Sequence, residues 1–399
     1  MAQTIVVVGS GFAGLWGALA AAQVVDEQRA ECVRVVLVAP QPQLAMRPRL
    51  HESDPAAWRT DILPHLQAAG IRYVQGAVRR IHRQDGCLEL AGAVGEPASL
   101  CYDRLVLAAG SAMHRPAVPG LVDYAHSIDQ PGDAEALDAH LATLARQPAS
   151  PARDTVVVVG AGFTGIELAC ELPARLQARL PGGQPRIVLV EQAAEVGPEL
   201  GPGPRPVIGQ ALDSLGVERV LGQAVAAVDG NGVVLADGAR IEAATVVWTG
   251  GMRATSLAAQ VADRCDALGR AVVADDLRVE GAHRIFAAGD AATARADEQG
   301  HRTLMACQHA LVTGRHAGHN AARDLLGLAT RAYRQPDYVT CLDLGGWGAV
   351  LTQGWQRDVA MAGAEAKALK NRINREWIYP PAPQRALLLA AAHPDKAFG

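Results

Sequence analysis

Aromatic residues make up only 4% of this 399-residue sequence. So thin a supply offers no surface for stacking nucleic-acid bases. The formal net charge of −4 likewise gives no basic field to attract phosphate backbones. No zinc-finger spacing occurs, and no metal site is expected. The seven cysteines are Cys32, Cys87, Cys101, Cys170, Cys265, Cys307 and Cys341. Their number is odd, and no two stand at CxxC or CxxxxC spacing. That argues against a disulfide framework or a redox-active dithiol, and most are expected to be small buried hydrophobes. No apolar run is long enough to span a bilayer, because the stretch from Phe12 to Val25 is short and broken by glycine. The first residues lack a basic region and run directly into a strand. No secretory signal is therefore expected, and a cytoplasmic location is, with peripheral membrane contact left open.

What is present is a repeated pattern. At 49% hydrophobic, the chain can fill more than one core, and its length suggests two or three domains. Ile5-Val-Val-Val-Gly-Ser-Gly-Phe-Ala-Gly14 reads as a buried strand, a glycine turn and a helix start. Val156-Val-Val-Val-Gly-Ala-Gly-Phe-Thr-Gly165 reads the same way, 151 residues later. Each is followed by an Ala/Leu-rich helix and another apolar strand, Val33 to Val38 and Arg186 to Val190. This is the dinucleotide-binding βαβ unit, twice. Arg104-Leu-Val-Leu-Ala-Ala-Gly110 and Thr245-Val-Val-Trp-Thr-Gly-Gly251 then form a second matching pair. Hairpin signals fall between, at Asp85-Gly86, Asp229-Gly-Asn-Gly232 and Asp237-Gly238.

The glycines answer a steric need. Gly9 and Gly160 permit the tight turn, Gly11 and Gly162 admit a pyrophosphate, and Gly14 and Gly165 let helix and strand close up. The helix end then offers free N–H groups to the anion. Glu191, 26 residues beyond Gly165, ends the second strand of its unit. A carboxylate there accepts both ribose hydroxyls and repels a 2′-phosphate, which favours NADH over NADPH. The first unit has Ala39 at the corresponding place, so Gln41 or backbone groups must serve its ribose.

Past the second unit, His283-Arg-Ile-Phe-Ala-Ala-Gly-Asp290 reads as a strand, and about Thr303 to Leu326 as a long helix. Tyr338 to Leu344 and Ala349 to Leu351 read as strands, and Ala362 to Trp377 as a helix. That helix carries Lys367, Lys370, Arg372 and Arg375 beside Leu369, Ile373 and Trp377. Such a basic amphipathic helix can lie on a membrane, cover another domain or form a dimer, and packing or dimerisation is the favoured use.

With these motifs the sequence resembles the two-dinucleotide-binding flavoproteins, and most of all type II NADH dehydrogenases and their apoptosis-inducing-factor-like relatives. The resemblance rests on both fingerprints, Leu50-His-Glu52, Leu107-Ala-Ala-Gly110, Gly160 to Glu167, Trp248-Thr-Gly-Gly251 and Phe286-Ala-Ala-Gly-Asp290. It implies an α/β fold of two Rossmann-like doubly wound domains with a small C-terminal α+β segment. The FAD domain would be discontinuous, residues 1–114 and 276–330, with the NAD(H) domain, 115–275, inserted and residues 331–399 following.

The resemblance also implies roles. FAD would lie on Gly9, Gly11 and Gly14, with Asp290 on its ribityl chain, Gly289 giving clearance, Gly110 closing against it and Arg47 at its border. NADH would lie on Gly160, Gly162 and Gly165, with Glu191 on its ribose. Phe12, Ala13, Val78, Ala109, Phe163, Thr164, Gly250 and Gly251 would complete the cofactor contacts. Glu167 would stand where nicotinamide meets flavin and influence proton movement. Relatives carry an AQxxxQ-like stretch at the acceptor site. Here Ala306-Cys-Gln308-His-Ala310-Leu-Val312 keeps its first glutamine, Gln308, and puts Val312 at the second. The implied activity passes a hydride from NADH to flavin N5, then two electrons to a quinone-like acceptor. A ferredoxin-type reductase docking at Arg79, Arg80 and Arg83, or an NADH-responsive redox sensor, is the alternative.

Overall fold

The computed structural model describes residues 2–92 and 98–396. The valine-rich segments become strands buried on both faces, as continuous apolar runs without alternation require. Gln3–Val8 pairs in parallel with Val33–Ala39 on one side and Arg104–Leu107 on the other. Arg72–His82 extends the sheet in parallel beyond Val33–Ala39, and Ile285–Ala287 extends it beyond Arg104–Leu107. Antiparallel strands Cys87–Gly92 and Ser99–Cys101 complete seven. The strand Ile285–Ala287 thus returns to the first sheet from far along the chain. It delivers Gly289 and Asp290 to the carboxyl ends of the strands that also carry Gly9 and Gly110.

The second fingerprint lies in its own parallel sheet, ordered Val217–Leu221, Arg186–Glu191, Thr155–Val159, Thr245–Trp248. The hairpins expected around Asp229–Gly232 and Asp237-Gly238 form a three-stranded antiparallel sheet beside it. The chain leaves the first unit through Ser111–Met113 and comes back through Met252–Ala254, and these two strands pair with each other.

The helix Phe12–Glu27 is apolar nearly all round, which is the pattern of an enclosed helix. It is sandwiched between the first sheet and the long helix Cys307–Leu325. Small residues set the helix separation: a Cβ at Gly318 would lie 1.8 Å from the Gly17 carbonyl oxygen. The C-terminal part is an antiparallel sheet, Val339–Asp343, Ala349–Gln353 and Asp358–Gly363, packed by the helix Ala364–Arg372. The third of these strands was not read from the sequence, and the helix begins two residues later than expected.

The cysteine reading needs correction. Cys87 and Cys101 form a disulfide, because antiparallel register sets them directly opposite on neighbouring strands. Sequence spacing reveals only local pairs, not partners met across a ladder. Cys170 and Cys341 are buried as expected, whereas Cys32 and Cys265 are exposed. Among the described residues no helix is long and apolar enough to cross a membrane, and no cluster of His, Cys, Asp and Glu is arranged to hold a metal.

Candidate functional site

Both fingerprints open into one cavity of about 2220 Å³. That exceeds the roughly 300–1,000 Å³ of a single-ligand pocket and suits two dinucleotides plus an acceptor. Gly9, Gly11, Phe12 and Ala13 line it from the first unit, and Gly160, Gly162, Phe163, Thr164 and Glu191 from the second. Arg47, Ala109, Gly110, Gly250, Gly251, Gly289, Asp290, Glu167 and Gln308 line it as well. Gly14 and Gly165 stand back from it. A Cβ on either would lie within 2 Å of the Gly9 or Gly160 carbonyl oxygen, so each glycine serves the close strand–helix approach. Val78 also does not reach the cavity. It packs against the core of the first unit instead. Where the first unit lacks a ribose acid, Pro40, Gln41 and Gln43 line the wall.

The fit to two dinucleotides rests on shape. A Cβ added at Gly11 or Gly110 would meet nothing within 4 Å, so both stand beside open space. Glu191 is buried, and its two oxygens accept the N–H groups of Ala161 (2.7 Å) and Ala193 (2.9 Å). The carboxylate is thereby fixed at the end of its strand, beside the glycine turn.

Asp290 sits in a polar knot between the two units. Ser111 Oγ donates to its Oδ2 at 2.6 Å, and Arg47 Nη1 approaches the same oxygen at 3.4 Å. Arg47 also pairs with Asp129 and donates to the Asp129 carbonyl at 3.2 Å. One guanidinium therefore ties the Asp290 turn to the segment leading into the second unit.

The densest chemistry lies at the wall between the units and the C-terminal sheet. Glu167, on the helix Phe163–Arg179, is 4% exposed, and so is Lys370. Lys370 Nζ donates to Glu167 Oε1 at 2.8 Å and to the Cys341 carbonyl at 2.7 Å. The Asp343 N–H donates to the same Glu167 oxygen at 3.0 Å. His51 faces Glu167 Oε2 with Nδ1 at 3.5 Å and Asp343 Oδ2 with Nε2 at 3.9 Å. Lys367 donates to the other Asp343 oxygen.

Burial opposes charge on His51, but Glu167 and Asp343 outweigh it and hold the imidazolium above its ordinary range. Burial likewise opposes charge on Lys370, and Glu167 again prevails, raising it. Asp343 is held well below the usual carboxylate range: its burial is overcome by His51 and Lys367. Two carboxylates thus face two lysines and a histidine whose charged form they favour.

Sequence reasoning found Glu167 but not His51 as its neighbour, nor Asp343 or Lys370. A signal for Lys370 existed: it falls on the apolar stripe Ala366, Lys370, Ile373, Trp377 rather than on the solvent face.

Past Gln308 the cavity is walled by Tyr338, Leu351, Leu369, Ile373 and Trp377. Cys307 stands at its edge, with a thiol that burial pushes up to about 11. His309 does not line it. Its Nδ1 accepts the Leu304 N–H at 3.1 Å, its ring stacks on Tyr338, and burial lowers it to about 4. At the separate basic patch, Arg83 pairs with Asp263, and Arg79 and Arg80 border a shallow depression shared with Glu89.

Two Rossmann-like units, a shared cavity and a Gly-Asp turn returning from beyond the inserted unit define a two-dinucleotide flavoprotein reductase. The chain belongs to the pyridine nucleotide-disulphide oxidoreductase family, whose model matches residues 3–314. It is 48% identical to an NADH dehydrogenase-like protein of Mycobacterium tuberculosis, over 98% of each chain. It is 26% identical to a type II NADH:quinone oxidoreductase of Staphylococcus epidermidis, covering 94% of this chain and 95% of that one. The solved structure of NDH2 from Plasmodium falciparum in complex with NADH shares its fold. The TM-score is 0.77 at 13% identity, over 98% of this chain and 97% of the other. The family match and these likenesses imply FAD and NADH as its cofactors and an NADH oxidoreductase as its class.

Proposed function

We propose that the chain is an FAD-dependent NADH:quinone oxidoreductase. One observation supports this most: a single cavity is lined by both fingerprints, by Glu167 and the Gly289–Asp290 turn, and by Tyr338, Leu351, Leu369, Ile373 and Trp377. An enclosed wall with apolar and aromatic faces between Gln353, Lys370 and Asn374 suits a flat acceptor with polar edges better than a protein carrier. Bound FAD supplies the two-electron relay between hydride donor and acceptor.

The chain's own groups do the rest. Gly9, Gly11 and the start of the Phe12–Glu27 helix would hold one pyrophosphate, and Asp290, set by Ser111 and Arg47, would hold the ribityl hydroxyls. Gly160, Gly162 and Thr164 would hold the other pyrophosphate, and Glu191 the adenosine ribose of NADH. Lys370 fixes Glu167 Oε1, leaving Oε2 toward His51. Glu167 would then take or release a proton at Oε2, exchanging with His51 Nδ1. Gln308 would donate its amide to an acceptor carbonyl. Lys370, at the cavity wall, would favour added negative charge there.

The test mixes FAD-loaded protein with NADH and then a short-chain quinone. Failure of NADH to bleach the flavin absorbance sinks the donor half. Bleaching that quinone does not reverse sinks the acceptor half. Glu167→Gln should slow at least one half-reaction by about 10²-fold or more.

A further inference from the structure

The two fingerprints share a glycine pattern but differ in what stands over the second glycine. A Cβ at Gly11 would meet nothing within 4 Å, whereas one at Gly162 would meet Glu199 Oε1 at 2.9 Å. The same oxygen accepts the Phe163 N–H at 3.1 Å. Phe163 opens a 17-residue helix with no acid in its own first turn. The anion-attracting end of that helix is therefore met by a carboxylate from another segment, 36 residues on.

Glu199 is exposed and rides on the turn Pro198–Leu200, bracketed by Gly197 (φ 60°) and Gly201 (φ 72°), both in the left-handed region. The base of the turn is anchored. The Gly197 N–H donates to the Ala161 carbonyl at 2.9 Å, Leu200 is buried, and Glu195 pairs with Arg205. Farther on, Gly203 packs against the Arg357 carbonyl. The backbone is held, and the side chain itself is exposed.

We propose that Glu199 is a built-in competitor for the NADH pyrophosphate, one that NADH must displace to bind. The Phe163 N–H and the space over Gly162 cannot serve two anions at once, and the two would repel at that distance. A pyrophosphate brings more charge and more acceptor oxygens than one carboxylate, so the nucleotide prevails, but with reduced affinity. Among the described residues the first fingerprint has no such competitor. That asymmetry matches the ligands: FAD stays through every cycle, whereas the nicotinamide nucleotide must exchange in each. Glu199 keeps the empty helix end satisfied and tunes the exchanging site to release.

The inference rests on NADH binding at the second fingerprint and not on the identity of the acceptor. It is tested by equilibrium titration of oxidised, FAD-loaded protein with ADP-ribose and with adenosine, comparing wild type, Glu199→Ala and Glu199→Gln. ADP-ribose is expected to bind Glu199→Ala about fivefold more tightly than wild type, with Glu199→Gln shifted the same way. Adenosine, which lacks the pyrophosphate, is expected to bind all three alike. Unchanged or weaker ADP-ribose binding in both variants overturns the proposal, as does equal tightening for adenosine. Absence of ADP-ribose binding to the wild type overturns the site reading on which it rests.

Discussion

Lys370 Nζ lies 2.8 Å from Glu167 Oε1, and both side chains are buried. Such a pair is a weak source of net stability, yet removing one partner strands the other in a low-dielectric place. Lys370→Met is therefore expected to cost about 3 kcal/mol of folding stability. The double variant Glu167→Gln/Lys370→Met should lose clearly less than the sum of the singles. Urea midpoints across the full double-mutant cycle measure this, and strictly additive losses would refute the coupling.

His51 makes stability fall as pH rises. Its imidazole is held above its ordinary value by Glu167 and Asp343 against the cost of burial. The folded state therefore binds this proton more tightly than the unfolded chain. The resulting stabilisation is complete below the ordinary histidine value of about 6.5 and drains away as pH climbs through the raised folded value. The slope contributed cannot exceed about 1.4 kcal/mol per pH unit. Denaturation midpoints from pH 6 to 9 should show that decline in wild type and a flatter profile in His51→Gln. Parallel profiles would count against it.

Glu191 should set the choice of nucleotide. It is fixed by the Ala161 and Ala193 N–H groups and would carry the charge that repels a 2′-phosphate. Glu191→Gln keeps an acceptor for Ala161 or Ala193 and drops the charge. The ratio of kcat/KM for NADPH over NADH is expected to rise by about tenfold. Steady-state kinetics with both nucleotides give the answer, and an unmoved ratio would remove Glu191 from that role.

Gly318 should tolerate no side chain. A Cβ there would meet the Gly17 carbonyl oxygen at 1.8 Å, backbone that cannot swing aside. Gly318→Ala is expected to push apart the helices Phe12–Glu27 and Cys307–Leu325, costing at least about 2 kcal/mol. The thermal midpoint should drop and the purified protein should retain less FAD, read from released flavin absorbance.

Local patterns in the sequence carried much of the architecture. Each fingerprint packs strand, turn and helix into ten residues, so its geometry is written where it is used. Glu191 is legible for the same reason, at a fixed distance along one βαβ unit. The cluster around Glu167 was not, because His51, Asp343 and Lys370 come from segments far apart that meet only when the C-terminal sheet docks. The Cys87–Cys101 bond escaped notice likewise, since strand register is a property of the pair and not of either strand. Val78 lies on a strand of the right sheet, half-buried against the core and away from the cavity lining.

The paired strands Ser111–Met113 and Met252–Ala254 have a consequence for ancestry and for engineering. Residues 114–251 leave the first unit and rejoin it at hydrogen-bonded neighbours, Met113 opposite Met252 and Ser111 opposite Ala254. A block whose two ends already touch joins its host covalently through one short seam. It is built like a cassette, and a block of different nucleotide preference could be grafted by matching that seam together with the ties at Arg47–Asp129 and Glu167–Lys370.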